Sequence, residues 1–223
     1  MKKFITLSIA GLLFLNLAAQ DLVPYFNPIG KDWGYCDWYK KSVIFNQFEE
    51  AGLFYNGLAI VKDNGLYGVI NPRGQFIVEC KYSKIYPFSE GFAAVLSKEN
   101  KIGFIDSYGE EIVPCKYDFD KYDKYRFSEG RAAVCSGDRY GYIDVTGKVV
   151  IDLKYSSARD FHDGFAVVSR PDEGVAFIDP QGNIIADMKA YSYFEQYSEG
   201  LIGATKGKKQ GFLDKTGKEV IPF

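Results

Sequence analysis

The strongest constraint on this chain is that it repeats itself. A short strand-like segment recurs as "WGYCD" (Trp33–Asp37), "YGVIN" (Tyr67–Asn71), "IGFID" (Ile102–Asp106), "YGYID" (Tyr140–Asp144), "VAFID" (Val175–Asp179) and "QGFLD" (Gln210–Asp214). Its second residue falls at 34, 68, 103, 141, 176 and 211, a spacing of 34 to 38 residues, and Ala176 is the one departure from glycine. A second segment keeps the same beat: "NGLAIV", "EGFAAV", "EGRAAV", "DGFAVV" and "EGLIGA", with "PYFN" (Pro24–Asn27) at the same phase near the start. A third reads "QFIVECKY", "EEIVPCKY", "KVVIDLKY", "NIIADMKAY" and "KEVIPF". Units of this length cannot bury an apolar face alone, so they must stack on their neighbours.

Each segment has the alternation of a half-buried strand. In the second segment Ala93, Val95, Ala132, Val134, Ala166 and Val168 share one face, while the other is mixed. Seventeen Tyr and eighteen Phe also favour strands. The chain therefore predicts an all-β fold of six units, 22–53, 54–87, 88–126, 127–161, 162–197 and 198–223. Each unit has three antiparallel strands, about 18 in all by that count. An open, twisted solenoid is the expected arrangement. A closed propeller-like ring is the alternative, although propeller blades usually have four strands and longer periods.

The joints between segments are turns. "NPRG", "DSYG", "DVTG", "DPQG" and "DKTG" place Asp or Asn first and Gly fourth, as a type I turn with a glycine bulge requires. A calcium loop would need several oxygen ligands at alternate positions, and a phosphate loop a longer Gly-rich turn followed by Lys and Ser/Thr. Neither is present. An aromatic precedes each second-segment glycine (Phe54, Phe88, Phe127, Phe161, Tyr197) and is expected to plug the space between units. The first copy carries Lys40 in place of the turn glycine and Asn46 at an apolar position, as an end cap would.

The pattern "YGYIDVTGKVVI…KY…FSEGRAAV" resembles the WG repeat family over residues 22–223. Only Trp33-Gly34 shows the namesake pair; Tyr67, Ile102, Tyr140, Val175 and Gln210 stand in the Trp position of the other copies. The resemblance implies a β-rich repeat module, often exported or at the bacterial surface, and it carries over no catalytic residues.

Individual residues offer little chemistry. Cys36, Cys80 and Cys115 fall at core phases, where cysteine acts as a small hydrophobe. A Cys80–Cys115 bridge would need Cα atoms within about 7 Å, against about 10 Å for stacked sheets. With one histidine, His162, and no CxxC, a zinc site has few ligands. His162 has Asp160 and Asp163 beside it but no marked nucleophile. The acids Glu90, Glu129, Asp163 and Glu199 recur once per unit, whereas a glycosidase pair is normally unique. Three residues remain as binding candidates: Tyr82, Tyr117 and Tyr155, each after a lysine. Their rings could stack a glycan or an extended peptide on an outer face, though packing between units explains the same recurrence.

Residues 1–19 have the layout of a signal peptide: Lys2 and Lys3, an apolar run Phe4–Leu15, then Ala18 and Ala19. Cleavage after Ala19 would leave residues 20–223 as a single repeat domain with 25 basic and 29 acidic residues, a balance that argues against nucleic acid. The expectation is a non-enzymatic repeat module, exported to the periplasm, cell surface or medium, with a protein or glycan partner. It would use no cofactor or metal and have no stable membrane insertion after cleavage. A structural envelope protein and a glycan-acting hydrolase are the alternatives.

Overall fold

In the computed structural model, described over residues 22–121, 125–195 and 197–223, the chain forms six small antiparallel sheets in sequence order. The leader expected at residues 1–19 lies outside the described residues. The first sheet is β1 (Val23–Asn27), β2 (Asp32–Cys36) and β3 (Ser42–Phe48). The second is β4 (Glu50–Ala51), β5 (Ala59–Asp63), β6 (Leu66–Ile70) and β7 (Phe76–Tyr82), and the third β8 (Lys84–Ile85), β9 (Phe92–Leu96), β10 (Lys101–Asp106) and β11 (Glu111–Asp118). The fourth contains β12 (Arg131–Ser136), β13 (Arg139–Asp144) and β14 (Val149–Tyr155). The fifth contains β15 (Ser157–Ala158), β16 (Ala166–Arg170), β17 (Gly174–Ile178) and β18 (Ile184–Asp187), and the sixth β19 (Ser192–Phe194), β20 (Ile202–Lys206), β21 (Lys209–Leu213) and β22 (Glu219–Ile221).

The three expected strands form the body of every sheet. In four sheets the linker adds a short fourth strand against the Ala/Val strand, as Glu50↔Lys62 and Ala51↔Val61 illustrate. That raises the described total from the expected 18 to 22 strands. It also gives those sheets the strand number on which the ring alternative had been disfavoured. No strand of the first sheet pairs with the sixth among the described residues.

The core lies between sheets rather than inside any of them. Tyr35, Ile44 and Phe48 of the first unit pack with Phe54, Ala59, Val61 and Ile70 of the second. Four further clusters join the second to the third, third to fourth, fourth to fifth and fifth to sixth units. This is nearest-neighbour stacking, the energetic signature of a repeat array. It also alters one expectation. Interior strands bury both faces, because each has a sheet on either side: Ala93 and Val95 belong to one cluster and Ala94 and Leu96 to the next.

The repeated glycine has a steric cause. Between Tyr140↔Tyr155 and Tyr142↔Ile151, β13 advances two residues while β14 advances four, so β14 bulges over Gly141. A Cβ there would lie 2.5 Å from the Ile151 carbonyl oxygen. Gly34, Gly68 and Gly103 sit under the same bulge, 2.5–2.6 Å from a backbone oxygen. Ala176 is tolerated because it pairs directly with Asp187 and β18 has no such bulge across it.

Candidate interaction site

The Asp-x-x-Gly segments are turns, and they are also joints. Asp144 accepts hydrogen bonds from the amides of Thr146 (2.9 Å) and Lys148 (3.1 Å), and the Gly147 amide donates to the Asp144 carbonyl (2.9 Å). Gly147 has φ 80°, and a Cβ on it would come within 2.8 Å of Ile112 of the preceding unit. Gly109 approaches Ile77 and Gly217 approaches Met188 in the same way. Each turn thus docks on the third strand of the unit before it. The first unit has no preceding unit among the described residues, so Lys40, φ 62°, replaces the glycine without a clash.

The Thr146 hydroxyl donates to Asp144 at 2.6 Å and, with the turn amides, holds its carboxyl below the usual range; Thr216 does the same for Asp214. A depressed folded-state pKa contributes stability above the unfolded value, near 4, and that contribution disappears as pH falls through the folded value. The expected result is that Thr146→Val raises the Asp144 pKa toward the ordinary range in a carboxyl NMR titration. The variant should lack the part of wild-type stability that this bond contributes above about pH 4, and should therefore lose less stability than the wild type as pH falls below that value.

The recurring acids are structural too. Glu90, Glu129, Asp163 and Glu199 have φ of 52–53° and each is followed by a positive-φ glycine, the two-residue hairpin that needs left-handed backbone at both positions. The Glu90 carboxylate accepts from the amides of Glu129 (2.7 Å) and Gly130 (2.8 Å) in the next such turn, and Glu129 accepts from Gly164 (3.0 Å). Ser89 and Ser128 donate to the carbonyls of Phe127 and Phe161. A ladder of side chains therefore ties one unit's hairpin to the next. His162 occupies the serine slot with its ring 5.9 Å from Tyr197, and Asp163 accepts from the Tyr197 hydroxyl (2.7 Å), a bond that raises the Tyr197 pKa to about 12. No nucleophile adjoins the histidine in these contacts.

Tyr82, Tyr117 and Tyr155 do not form an outer stacking surface. Each ring is 3–5% exposed and lies in a core cluster between units. Burial raises all three hydroxyl pKa values, and the Tyr82 hydroxyl donates to Glu111 of the next unit (3.0 Å). Lys81, Lys116 and Lys154 lie 5.0–5.5 Å from the rings that follow them, which accounts for the repeated Lys-Tyr as a cation–π pair covering the outer side. The three tyrosines are thus occupied by packing. The four cysteines are free thiols, with Cys36 and Cys135 buried.

Two surfaces stand out instead. The first is an arm of the first unit, the turn Asp37–Lys40 and the start of β3. Trp38, Tyr39 and Phe45 are 83%, 89% and 80% exposed, with Val43 between them. Position 45 is the outward tip of the bulge; its counterparts are Glu79, Pro114, Asp152, Asp187 and Pro222. Charge and proline are the usual means of blunting an edge strand, and this unit alone has an aromatic there. The departure at Phe45 is legible in the sequence once the third segments are aligned.

The second surface is a cleft of about 520 Å³ lined by Asp118, Phe119, Asp120, Cys135, Asp138 and Tyr140, among others. Asp118 accepts from Lys101 and from the Gly137 amide (2.7 Å), and its pKa is lowered chiefly by the Lys101 contact. The Tyr140 hydroxyl donates to Asp120 at 2.7 Å. Its sequence signal is the 38-residue step from Gly103 to Gly141, the longest in the chain, which inserts extra residues into this linker. Among the described residues no group of three His, Cys, Asp or Glu side chains is placed to hold a metal ion.

Stacked antiparallel sheets, neighbour-only cores and glycine-turn joints define a tandem β-repeat protein. The WG containing repeat matches residues 33–67, 67–101, 102–140, 140–170 and 176–209, and the chain belongs to that family. Among curated proteins none matches it. In fold it is similar to a eukaryotic initiation factor, with a TM-score of 0.57 at 10% identity over 90% of this chain and 62% of the other. BamB from Moraxella catarrhalis (TM-score 0.46, 11% identity, 90% and 69% covered) and the computationally designed Ika8 protein (0.46, 14%, 90% and 70%) show weaker similarity.

Proposed function

We propose that this chain is an exported, non-enzymatic interaction module whose partner is a protein gripped by the Trp38–Phe45 arm. The observation that carries the reading is where apolar surface is left exposed. Among the described residues, nine of the twenty large exposed hydrophobics fall within residues 23–55, a small part of the array. Such concentrations mark interaction sites, and Trp and Tyr are the side chains most often found at their energetic centres. Export is supported by the Lys2-Lys3 and Phe4–Leu15 layout of the leader. The test is affinity capture from an envelope extract with residues 20–223, in parallel with the W38A/Y39A double variant. The double variant should retain its specific partner at least about tenfold more weakly, the loss expected of a hot spot. Equal retention by both chains would remove the arm from the function.

A second reading rests on the cleft, where the exposed Phe119 ring and the Asp118 and Asp120 carboxylates offer stacking and hydrogen bonds to a sugar. Retention on a glycan array that is lost in Phe119→Ala would favour it. Turnover of a glycan would overturn the non-enzymatic reading altogether.

A further inference from the structure

At every internal joint the second-strand aromatic or aliphatic side chain of one unit is sealed by the next. Tyr35 packs on Phe54 (4.8 Å between ring centroids), Phe104 on Phe127 (5.1 Å), Tyr142 on Phe161 (4.8 Å) and Phe177 on Phe194 (5.6 Å). All four rings, with Val69 at the same position, have no exposed surface. Phe212, their counterpart in the sixth unit, is 38% exposed. Ile221 is 48% exposed, whereas Ile44, Val78, Val113 and Ile151, at the same position and each under the turn of a later unit, are 1–5% exposed. The sixth sheet therefore presents the receiving half of a joint, with Val220 beside it. The first unit presents the inserting half: its Asp37–Lys40 turn has the same hydrogen bonds as the docked turns, Tyr39 and Lys41 amides to Asp37 at 2.9 Å, but carries Trp38 and Tyr39 into solvent.

We infer that these two surfaces are the halves of one intermolecular joint, and that the chain associates head to tail with a second copy of itself. The Asp37–Lys40 turn of one copy seats on the third-strand residues Val220 and Ile221 of the next, the positions the internal turns cover. Continuity with the five joints inside the chain selects this occupant, because each of them seats the same kind of turn on the same strand position. The inference rests on the reading of the arm as a protein-binding surface and names its partner. Lys40 sets the strength. At three of the internal joints a Cβ on the turn glycine would come within 2.8 Å of the preceding unit, so the Lys40 side chain holds the contact open and keeps it weak. Such a contact is heterologous and leaves one free half at each end of a dimer, so assembly continues past the dimer as concentration rises.

The test is sedimentation and light scattering of residues 20–223 up to about 0.2 mM, a range that detects weak contacts. Wild type should grow with concentration beyond a dimer, and Lys40→Gly should associate at least tenfold more tightly. W38A/Y39A and Ile221→Glu chains should each be monomeric, yet a mixture of the two should form a one-to-one dimer, since each retains the half the other lacks. Val220→Glu provides a second receiving-face variant on an exposed position, and circular dichroism confirms that every variant keeps its sheets. Monomers throughout for both wild type and Lys40→Gly would overturn the inference. So would a species that stops at two copies, or a mixture that does not associate. A monomeric chain that still captures a different protein through Trp38 would overturn the inference while leaving the reading of the arm in place.

Discussion

Gly141→Val is expected to destabilise the array by about 3 kcal/mol, the upper end of ordinary overpacking costs. The bulge of β14 brings the Ile151 carbonyl oxygen within 2.5 Å and the Asp152 carbonyl carbon within 2.8 Å of where a Cβ would sit. Both neighbours are backbone, so neither can rotate away as a side chain would. The substitution must therefore pull β14 off β13. The third strand also seats the turn of the fifth unit, where Gly182 lies against Ile151, so the disturbance reaches the next joint. At about 2–4 °C per kcal/mol for a chain of this size, Tm should fall by roughly 6–12 °C. Hydrogen exchange should quicken first in β13, β14 and β16. An unchanged Tm would mean that β14 can lift from the glycine at little cost. Ala176→Gly is the control. No bulge crosses that position, so no strain is relieved, and the extra backbone freedom should lower stability by about 0.5–1 kcal/mol.

Phe127→Ala is expected to cost about 3–5 kcal/mol, the range for emptying a buried phenylalanine site. The ring is fully buried, with Phe92 at 4.9 Å and Phe104 at 5.1 Å, in the cluster that joins the third and fourth units. The Phe127 carbonyl still accepts from Ser89, so the backbone has a reason to stay in place and the cavity does not collapse fully. Stability in a stacked array is roughly a sum of unit and interface terms, so one weakened interface should act as a breaking point. Limited proteolysis should then cut the linker between β11 and β12 first, yielding fragments of about three units each. Cleavage scattered over all linkers at the wild-type rate would show that the plug contributes no more than its neighbours.

Much of this was readable from the chain. The 34- to 38-residue period, the three strands per unit, the turns at Asp144 and its siblings and the plugs at Phe54, Phe127 and Phe161 all follow from alternation and turn chemistry, which act within a few residues. The fourth short strands were not readable, because Glu50-Ala51 and Ser157-Ala158 are two-residue pairings with no alternation to detect. The fate of Tyr82, Tyr117 and Tyr155 was not readable either. A tyrosine after a lysine has the same local pattern whether its ring faces solvent or a neighbouring sheet, and only the position of that sheet decides. Of the surfaces that now carry the functional reading, Phe45 was visible as a departure among aligned copies and the cleft as the longest step in the period.

By itself, the sequence determined a six-fold β array, because periodicity and turn residues are local properties repeated often enough to be unambiguous. Only the tertiary structure decided why each glycine is there and which apolar groups remain uncovered. The same glycine serves a left-handed turn and a sub-3 Å approach to the preceding unit, and the second role depends on backbone atoms more than thirty residues away. Phe212 and Phe104 likewise occupy one sequence position, and they differ in exposure only because another unit stacks on Phe104. Burial is a relation between elements, and no local pattern records it.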